Sequence, residues 1–584
     1  MYVTIIQNNP KLGALRENAE SIIASIDALA ESAYPPDLVI FPAYALTGAT
    51  VRGMRYYEPF AVETWDAAHH VMVNAKLPTL LGTMFPKRST GENPYFCEAE
   101  ALFCKGGKGK ALGFSVNAGK WGVIDSDLAS VSFNFSGNRL SVVLDDYPCP
   151  LENYSEADIL IVLLAMDYHG TENMFTASGK LSYFRKIAQK NKVWLIVANL
   201  AGAQDENVFS GASFVLRPDG SVAQALLPFE EGSMNCNINL NEEVKKVTSG
   251  QGPKYNDSQI VRPLLPYEAE WKALKVFIRD YVRKNGFTDV VLGLSGGLDS
   301  AVCAALACDA LGAEHVHGIL MPSPYSSQGS IDDSLLLAQN LGIETITMPV
   351  DEGLKAMLSV LEAVLGPTDS PIAQQNIQNR IRMTLLMYMS NCFDWLLLST
   401  SNKSELAVGY STLYGDSVGA LAPLGNTYKS DVYGLADWRN EQSRVIPQSI
   451  ITKVPSAELY EGQTDEDTLP PYSILDSVLR LHIEEGLGVD QILEFISRTP
   501  DKDIIASDMI ESILRMVKQA EFKRRHRPRM PEFGTVNMNI ERNWPVTNAF
   551  TDHRCGSQQE KSLMHFLSMA KNWREPGSWD FLAN

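Results

Sequence analysis

The sequence has little of what disulfide-stapled, zinc-clustered or membrane-spanning proteins need. Its eight cysteines, at 97, 104, 149, 236, 303, 308, 392 and 555, contain no CxxC pair. That pattern offers neither a zinc ribbon nor a disulfide framework, and it fits a reduced compartment. The nine histidines form no HExxH pair, so no zinc-peptidase helix is expected. No apolar run reaches the roughly 18 residues of a membrane span. The start, MYVTIIQNNP, has neither the basic segment nor the apolar stretch of a secretory signal, so a cytoplasmic location is the expectation. Positive charge is scarce too: 50 Lys and Arg stand against 69 Asp and Glu, a net charge of −19. A surface of that sign repels a phosphate backbone, so no nucleic-acid partner is expected. A local basic pocket for a phosphorylated small molecule stays open. No internal repeat is visible.

What is present is ample apolar material, 45% of 584 residues, in a chain too long for one hydrophobic core. Up to about residue 245, short apolar runs alternate with helical stretches. The runs are Val3–Gln7, Leu38–Phe41, Thr79–Thr83, Leu140–Leu144, Ile159–Leu163 and Val193–Ala198, and Asn18–Ser32 has helical spacing. Strands this apolar predict α/β architecture, with sheets buried under helices. The polar segment Thr248–Ser258 breaks the pattern and marks a linker, placed at 246–264. A second α/β unit follows, with a predicted helix Tyr267–Lys284, a strand Asp289–Leu294 and further apolar runs at Val316–Met321, Ile343–Val350 and Trp395–Thr400. That spacing predicts a doubly wound, mostly parallel sheet. Thr452–Tyr472 reads as a loop, and Tyr472–Glu484 and Asp508–Arg525 read as helices. Residues 546–584 form an irregular tail.

The chemistry begins at Gly293-Leu294-Ser295-Gly296-Gly297-Leu298-Asp299-Ser300. Two glycines let the backbone approach an anion, two serines add hydroxyls, and a helix predicted at Ala301–Leu311 aims its N-terminus at the same point. Asp299 adds a carboxylate suited to Mg²⁺. A glycine turn alone would be ordinary structure; the whole run after an apolar strand points to nucleotide phosphates. The loop lacks the Lys of a GxxxxGK[ST] motif, which disfavours kinase-like transfer.

SGGLDS resembles the signature of the ATP pyrophosphatases, which adenylate a carboxylate or carbonyl oxygen before a nitrogen or sulfur nucleophile enters. Downstream motifs narrow this. They are Asn376-Ile377-Gln378-Asn379-Arg380-Ile381-Arg382, Ser399 through Glu405, Gly409 through Asp416, Lys429, Val454 through Leu459, Asp465 through Tyr472 and Glu521 through Arg525. In the first of these, Ile377, Ile381, Leu385 and Tyr388 are expected to face the core, with Asn376 and Arg380 on another face. In order and spacing the set resembles the NAD synthetase domain over about 265–545. The resemblance implies that Gly293 to Ser300, Thr400, Lys429 and Ser456 contact ATP, and that Asp299 and Glu405 hold Mg²⁺. It assigns catalytic work to Asp299, Glu405 and Lys429. Asn376, Arg380, Glu405, Tyr410, Ser411, Thr412, Leu413 and Lys523 would line a deamido-NAD pocket. Nicotinate mononucleotide remains an alternative acid for the same chemistry. A homo-oligomer is also implied.

Residues 1–245 resemble the nitrilase-like amidase domain, an α-β-β-α sandwich, that supplies ammonia in glutamine-dependent NAD synthetases. The matching pieces are Gln7 through Pro10, Phe41-Pro42 with Leu46-Thr47-Gly48, Gly122 through Asp125, Asp145-Asp146 and Asn199 through Gly211. That family works with a Glu base, a Lys and a Cys nucleophile. Here the three positions are Ala43, Ser115 and Leu144. Cys149 and Lys120 each lie five residues past the expected site, too far to occupy the same turn. The expectation is a domain that cannot hydrolyse glutamine, beside a ligase using free ammonia or ammonia from a separate glutaminase. The alternatives are a relocated nucleophile and a non-catalytic regulatory homologue.

Overall fold

The computed structural model describes residues 1–88, 95–112, 130–144, 154–170, 179–240, 262–366, 370–499 and 505–532. Ser115, Lys120, Cys149, the linker segment Thr248–Ser258 and the tail lie outside the described residues.

The N-terminal part is two six-stranded sheets face to face. The first runs Gly232–Asn237, Tyr2–Gln7, Leu38–Ile40, Thr79–Arg88, Tyr95–Lys105, Lys108–Leu112; the second runs Val222–Ala225, Phe214–Leu216, Trp194–Asn199, Ile159–Leu164, Asn138–Leu144, Ser130–Phe135. Their inner faces share one apolar layer, in which Val3, Ile5 and Leu80 meet Leu140, Ile161 and Trp194. Helices Leu15–Ala30 and Glu58–Asn74 cover the first sheet, and Lys180–Asn191 covers the second. Every residue of Ile159–Leu164 is buried, because a central parallel strand is covered on both faces. The apolar runs pointed to sheets under helices, and the resemblance implied this α-β-β-α sandwich.

The second unit carries a four-stranded parallel sheet in the order Glu344–Thr347, Val316–Leu320, Val290–Gly293, Leu396–Leu397. Helices Pro266–Lys284 and Leu298–Leu311 pack on one face, and Met389 of Pro371–Phe393 packs on the other. The sheet is therefore doubly wound, and ligands of such sheets sit beyond the carboxyl ends of the strands where the order reverses. Among the described residues no helix is long and apolar enough to cross a membrane.

Three sequence readings change. The helix expected at Ala301 begins at Leu298, because extended Gly297 caps it, and Asp299 and Ser300 fall in its first turn. The run Trp395–Thr400 pairs as a strand only over Leu396–Leu397 before the chain turns to form the site. On Pro371–Phe393 the buried residues are Gln378, Asn379 and Met389, Tyr388 is 64% exposed, and Ile377, Ile381 and Leu385 are only partly buried. The helix turns polar side chains inward because it borders a polar cavity, so apolar periodicity misjudged its inner face.

The units meet through buried polar contacts on Pro266–Lys284. Lys284 Nζ donates to Asn9 Oδ1 at 2.5 Å and to the Ala203 carbonyl at 2.8 Å. Asp280 accepts Asn9 Nδ2 at 2.7 Å and the Ala203 N–H at 2.8 Å. On the same helix, Glu270 accepts the Thr427 hydroxyl at 2.7 Å. Burial, then the Asp431 charge, pushes the Glu270 carboxyl up from 4.5 to about 7. A folded-state value above the unfolded one means the folded chain holds that proton more tightly. This contribution to stability is full below about pH 4.5 and is lost as pH rises through about 7. Glu270→Gln should therefore raise the melting temperature clearly at pH 8 and far less at pH 5, in paired calorimetric scans. An equal change at both pH values would refute this assignment.

Candidate active site

Strand Val290–Gly293 delivers the chain to a tight loop that the sequence builds from small and hydroxylated residues. Gly296 has φ +73°, a backbone conformation that favours glycine. The loop is tied to itself: the Ser295 N–H donates to the Ser300 hydroxyl at 3.3 Å, and the Gly297 N–H donates to Ser295 Oγ at 3.2 Å. Ser300 Oγ donates in turn to the Gly297 carbonyl at 3.0 Å. Both serines thus shape the loop as well as lining it.

The loop opens on a cavity of about 290 Å³ at the carboxyl edge of the sheet. Of the expected ATP-contacting residues, Gly293, Leu294, Ser295, Gly297, Leu298, Asp299, Ser300, Thr400, Lys429 and Ser456 line it, with Glu405, Tyr410 and Ser411. Gly296 does not, since its Cα faces the Ser330 backbone. Asn376, Arg380, Thr412, Leu413 and Lys523 also lie outside the lining. Thr412 Oγ1 donates to Asn376 Oδ1 at 2.8 Å, and Arg380 Nε donates to the Leu413 carbonyl at 3.2 Å. Lys523 Nζ donates to the Gly409 and Ser411 carbonyls at 2.7 and 2.8 Å. These residues hold the 409–416 segment against the cavity.

At the centre, three chain segments converge on one ammonium. Lys429, its side chain 4% exposed, pairs with Asp299 and stands 3.9 Å from Glu405. Asn402 caps the helix Lys403–Val408 by accepting the Glu405 N–H at 3.0 Å, and its Nδ2 donates to Asp299 at 3.1 Å. Burial alone would depress the Lys429 ammonium, but Asp299 and Glu405 outweigh it and hold it above its ordinary value. Burial, then the Asp299 charge, pushes Glu405 well above the usual carboxylate range. Asp465, which accepts the Tyr472 hydroxyl at 2.9 Å, is raised chiefly by burial. The cluster carries more carboxylate than cation, an arrangement that a further cation would relieve.

Sequence reasoning missed Arg382, Lys453 and Asp465, all of which line the cavity. Arg382 Nε donates to the Met321 carbonyl at 3.2 Å, and Lys453 donates to Glu458 at 2.9 Å. Each lay in or beside a quoted motif, at the end of Asn376–Arg382, just before Val454-Pro455-Ser456 and at the head of Asp465–Tyr472. The signal was position in the run; nothing in residue type alone marked them.

In the sandwich domain, the two described positions of the amidase site are apolar and packed. Ala43 is fully buried and Leu144 is 7% exposed, and both belong to the layer between the sheets. Tyr44, next to Ala43, has a positive φ of 54°.

The family model described as NAD synthase matches residues 270–527. A glutamine-dependent NAD(+) synthetase of Aquifex aeolicus is 34% identical, covering 94% of this chain and 100% of its own length. One of Thermotoga maritima is 33% identical, covering 94% and 99%. The solved glutamine-dependent NAD+ synthetase of Acinetobacter baumannii, in complex with ADP, matches with TM-score 0.68 and 28% identity over 95% of this chain and 99% of that one. A glutamine-dependent NAD(+) synthetase of Cytophaga hutchinsonii, at 16% identity and TM-score 0.75 over 94% and 98%, shares the fold. The chain belongs to the glutamine-dependent NAD(+) synthetases, ligases that form a carbon–nitrogen bond while ATP is cleaved to AMP and pyrophosphate.

Proposed function

We propose that this chain amidates deamido-NAD with ammonia that arrives from outside, its own amidase-like domain releasing none. The observation that carries the second half is apolar packing at Ala43 and Leu144. Leucine has no thiolate or hydroxyl to attack an amide, and alanine has no base to activate one.

For the ligase half, the amides of the Ser295–Ser300 loop and the Ser295 hydroxyl would cradle the ATP phosphates, in keeping with the ADP bound by the Acinetobacter baumannii relative. The nicotinate carboxylate attacks the α-phosphorus, the α–β anhydride breaks, and pyrophosphate leaves an acyl adenylate. Ammonia then adds to the acyl carbon, AMP departs, and the amide sheds a proton. Lys429 would hold the growing negative charge at the α-phosphate, and Tyr410 and Ser411 would border the dinucleotide. This is positioning and charge stabilisation, with no covalent bond to the protein.

Asp299 and Glu405 fit a divalent ion, since both carboxylates face one point at the Lys429 ammonium, and a cation there would offset the burial and like charge that raise Glu405. Among the described residues no three His, Cys, Asp or Glu converge as a complete metal cage, so phosphate oxygens and water would complete the shell. Magnesium bound there would neutralise the departing pyrophosphate.

Purified protein given deamido-NAD, ATP and Mg²⁺ should form NAD and AMP with ammonium. With glutamine in its place, turnover should be lower by about 10²-fold or more. Glutamine-driven NAD formation at comparable rates, free of contaminating glutaminase, would overturn the proposal. Running nicotinate mononucleotide beside deamido-NAD tests the acid.

A further inference from the structure

The segments that carry Glu405 and Lys429 are tied together behind the cavity wall by an acid from a third element. Asp476 lies on the helix Tyr472–Ile483 and is 2% exposed. One of its oxygens accepts the Ser404 hydroxyl, and the other accepts the Ser430 N–H at 2.8 Å. Ser404 Oγ accepts the Lys429 N–H at 2.9 Å. Each tie is therefore one residue away from Glu405 or from Lys429, while Asp476 itself does not line the cavity.

A carboxylate suits this place because it offers acceptors on both oxygens and no donor. An amide turned with its NH2 toward Ser404 makes that hydroxyl accept and strips the Ser404 O–H of its own acceptor, and turned the other way it sets two donors against each other at the Ser430 N–H. Burial raises the cost of that mismatch, because no water can take the orphaned donor. Around this node, Lys403 donates to Glu484 at 2.6 Å, and Arg480 lies 4.3 Å over the Tyr428 ring. The backbone behind Lys429 is thus held on several sides, and Asp476 ties its own helix both to the one bearing Glu405 and to the one bearing Lys429, beside the direct bond from the Lys429 N–H to Ser404 Oγ.

We infer that Asp476 is a positioning residue: through Ser404 and Ser430 it fixes the Lys429 ammonium against Asp299 and Glu405, and it acts on turnover more than on ATP binding. The inference rests on the reading that Lys429 stabilises charge at the reacting phosphorus.

A double-mutant cycle on the full chain tests it. Asp476→Asn, Lys429→Met and the double variant are assayed for kcat and for the KM of ATP at saturating deamido-NAD and ammonium. Asp476→Asn should lower kcat by about 10-fold or more and leave the KM of ATP within about twofold. In the Lys429→Met background it should produce almost no further loss, because the group it positions is gone. Unchanged kcat in Asp476→Asn, or equal fold losses in both backgrounds, would overturn the inference alone. Full activity in Lys429→Met would overturn the reading of the cavity and the inference with it. Should Asp476→Asn fail to fold, Ser404→Ala, which removes the Asp476 tie together with the bond from the Lys429 N–H and leaves the acid, takes its place with the same expectations.

Discussion

Lys429→Met is expected to lower kcat for NAD formation by about 10²–10³-fold, the loss that follows removal of a preorganised charge from a transition state. The reasoning starts from burial. Lys429 is 4% exposed and shares the centre of the cavity with Asp299 and Glu405. Both acids hold its ammonium charged, so a full cation waits where phosphate charge would build up. Methionine is unbranched and one atom shorter, so it keeps most of the side chain's apolar stem while removing the ammonium that lies 5.5 Å from the Tyr472 ring. It removes only the charge and its hydrogen bonds. A second effect follows from the partners left behind. Without the ammonium, Glu405 loses the cation that opposes its burial and binds a proton more tightly in the folded chain. That contribution to stability is then lost as pH rises, so Lys429→Met should lose more thermal stability at pH 8 than at pH 6. Stopped assays for AMP release and paired melting curves read both effects. Wild-type turnover would dismiss the ammonium as an electrostatic participant.

Legibility in the sequence followed the range of the interaction that decides each feature. The fully buried strand Ile159–Leu164 and the loop after Val290–Gly293 were readable because their determinants are consecutive residues: an apolar run in one, two glycines between serines in the other. The start of helix Leu298–Leu311 was misplaced by three residues because the extended conformation of Gly297 is set by the loop's own hydroxyl bonds. The inward face of Pro371–Phe393 was misjudged for a related reason. Asn379 is buried there because Thr412 and Asp416, more than 30 residues away, accept its amide. Asp476 had no local mark at all. Its partners Ser404 and Ser430 are 72 and 46 residues distant, and only the folded chain brings them together. The amidase positions show the converse. Ala43 and Leu144 were legible in the sequence as apolar residues where the resemblance expects reactive ones, and the fold adds that both lie in the apolar layer between the sheets.

Gly296→Ala is expected to cost the ligase about 10²-fold or more in kcat/KM for ATP, the scale on which small displacements of a phosphate-holding loop act. Two independent constraints meet at this residue. Its φ of +73° strains any side chain, and a Cβ there would stand 2.3 Å from the Ser330 carbonyl oxygen and 2.7 Å from the Ser330 Cα. Those are backbone atoms of the helix Gln328–Leu341, so no rotamer change relieves the contact. Either that helix retreats or the loop does. Ser330 is held in place: its hydroxyl donates to Glu458 at 2.7 Å and its carbonyl accepts the Ser334 hydroxyl at 2.9 Å. The loop is therefore the part that yields, and it yields toward the cavity where phosphates would lie. Gly329→Ala is the matched control, one residue from the same contact, with nothing within 4 Å of its Cβ. A helical Gly-to-Ala change at an open position is neutral or mildly stabilising, so Gly329→Ala should keep activity within about twofold of wild type. Titration calorimetry with a non-hydrolysable ATP analogue should show weakened binding in Gly296→Ala only, with far-UV circular dichroism alike in both. Equal affinity in the two variants would mean that the loop does not hold the nucleotide.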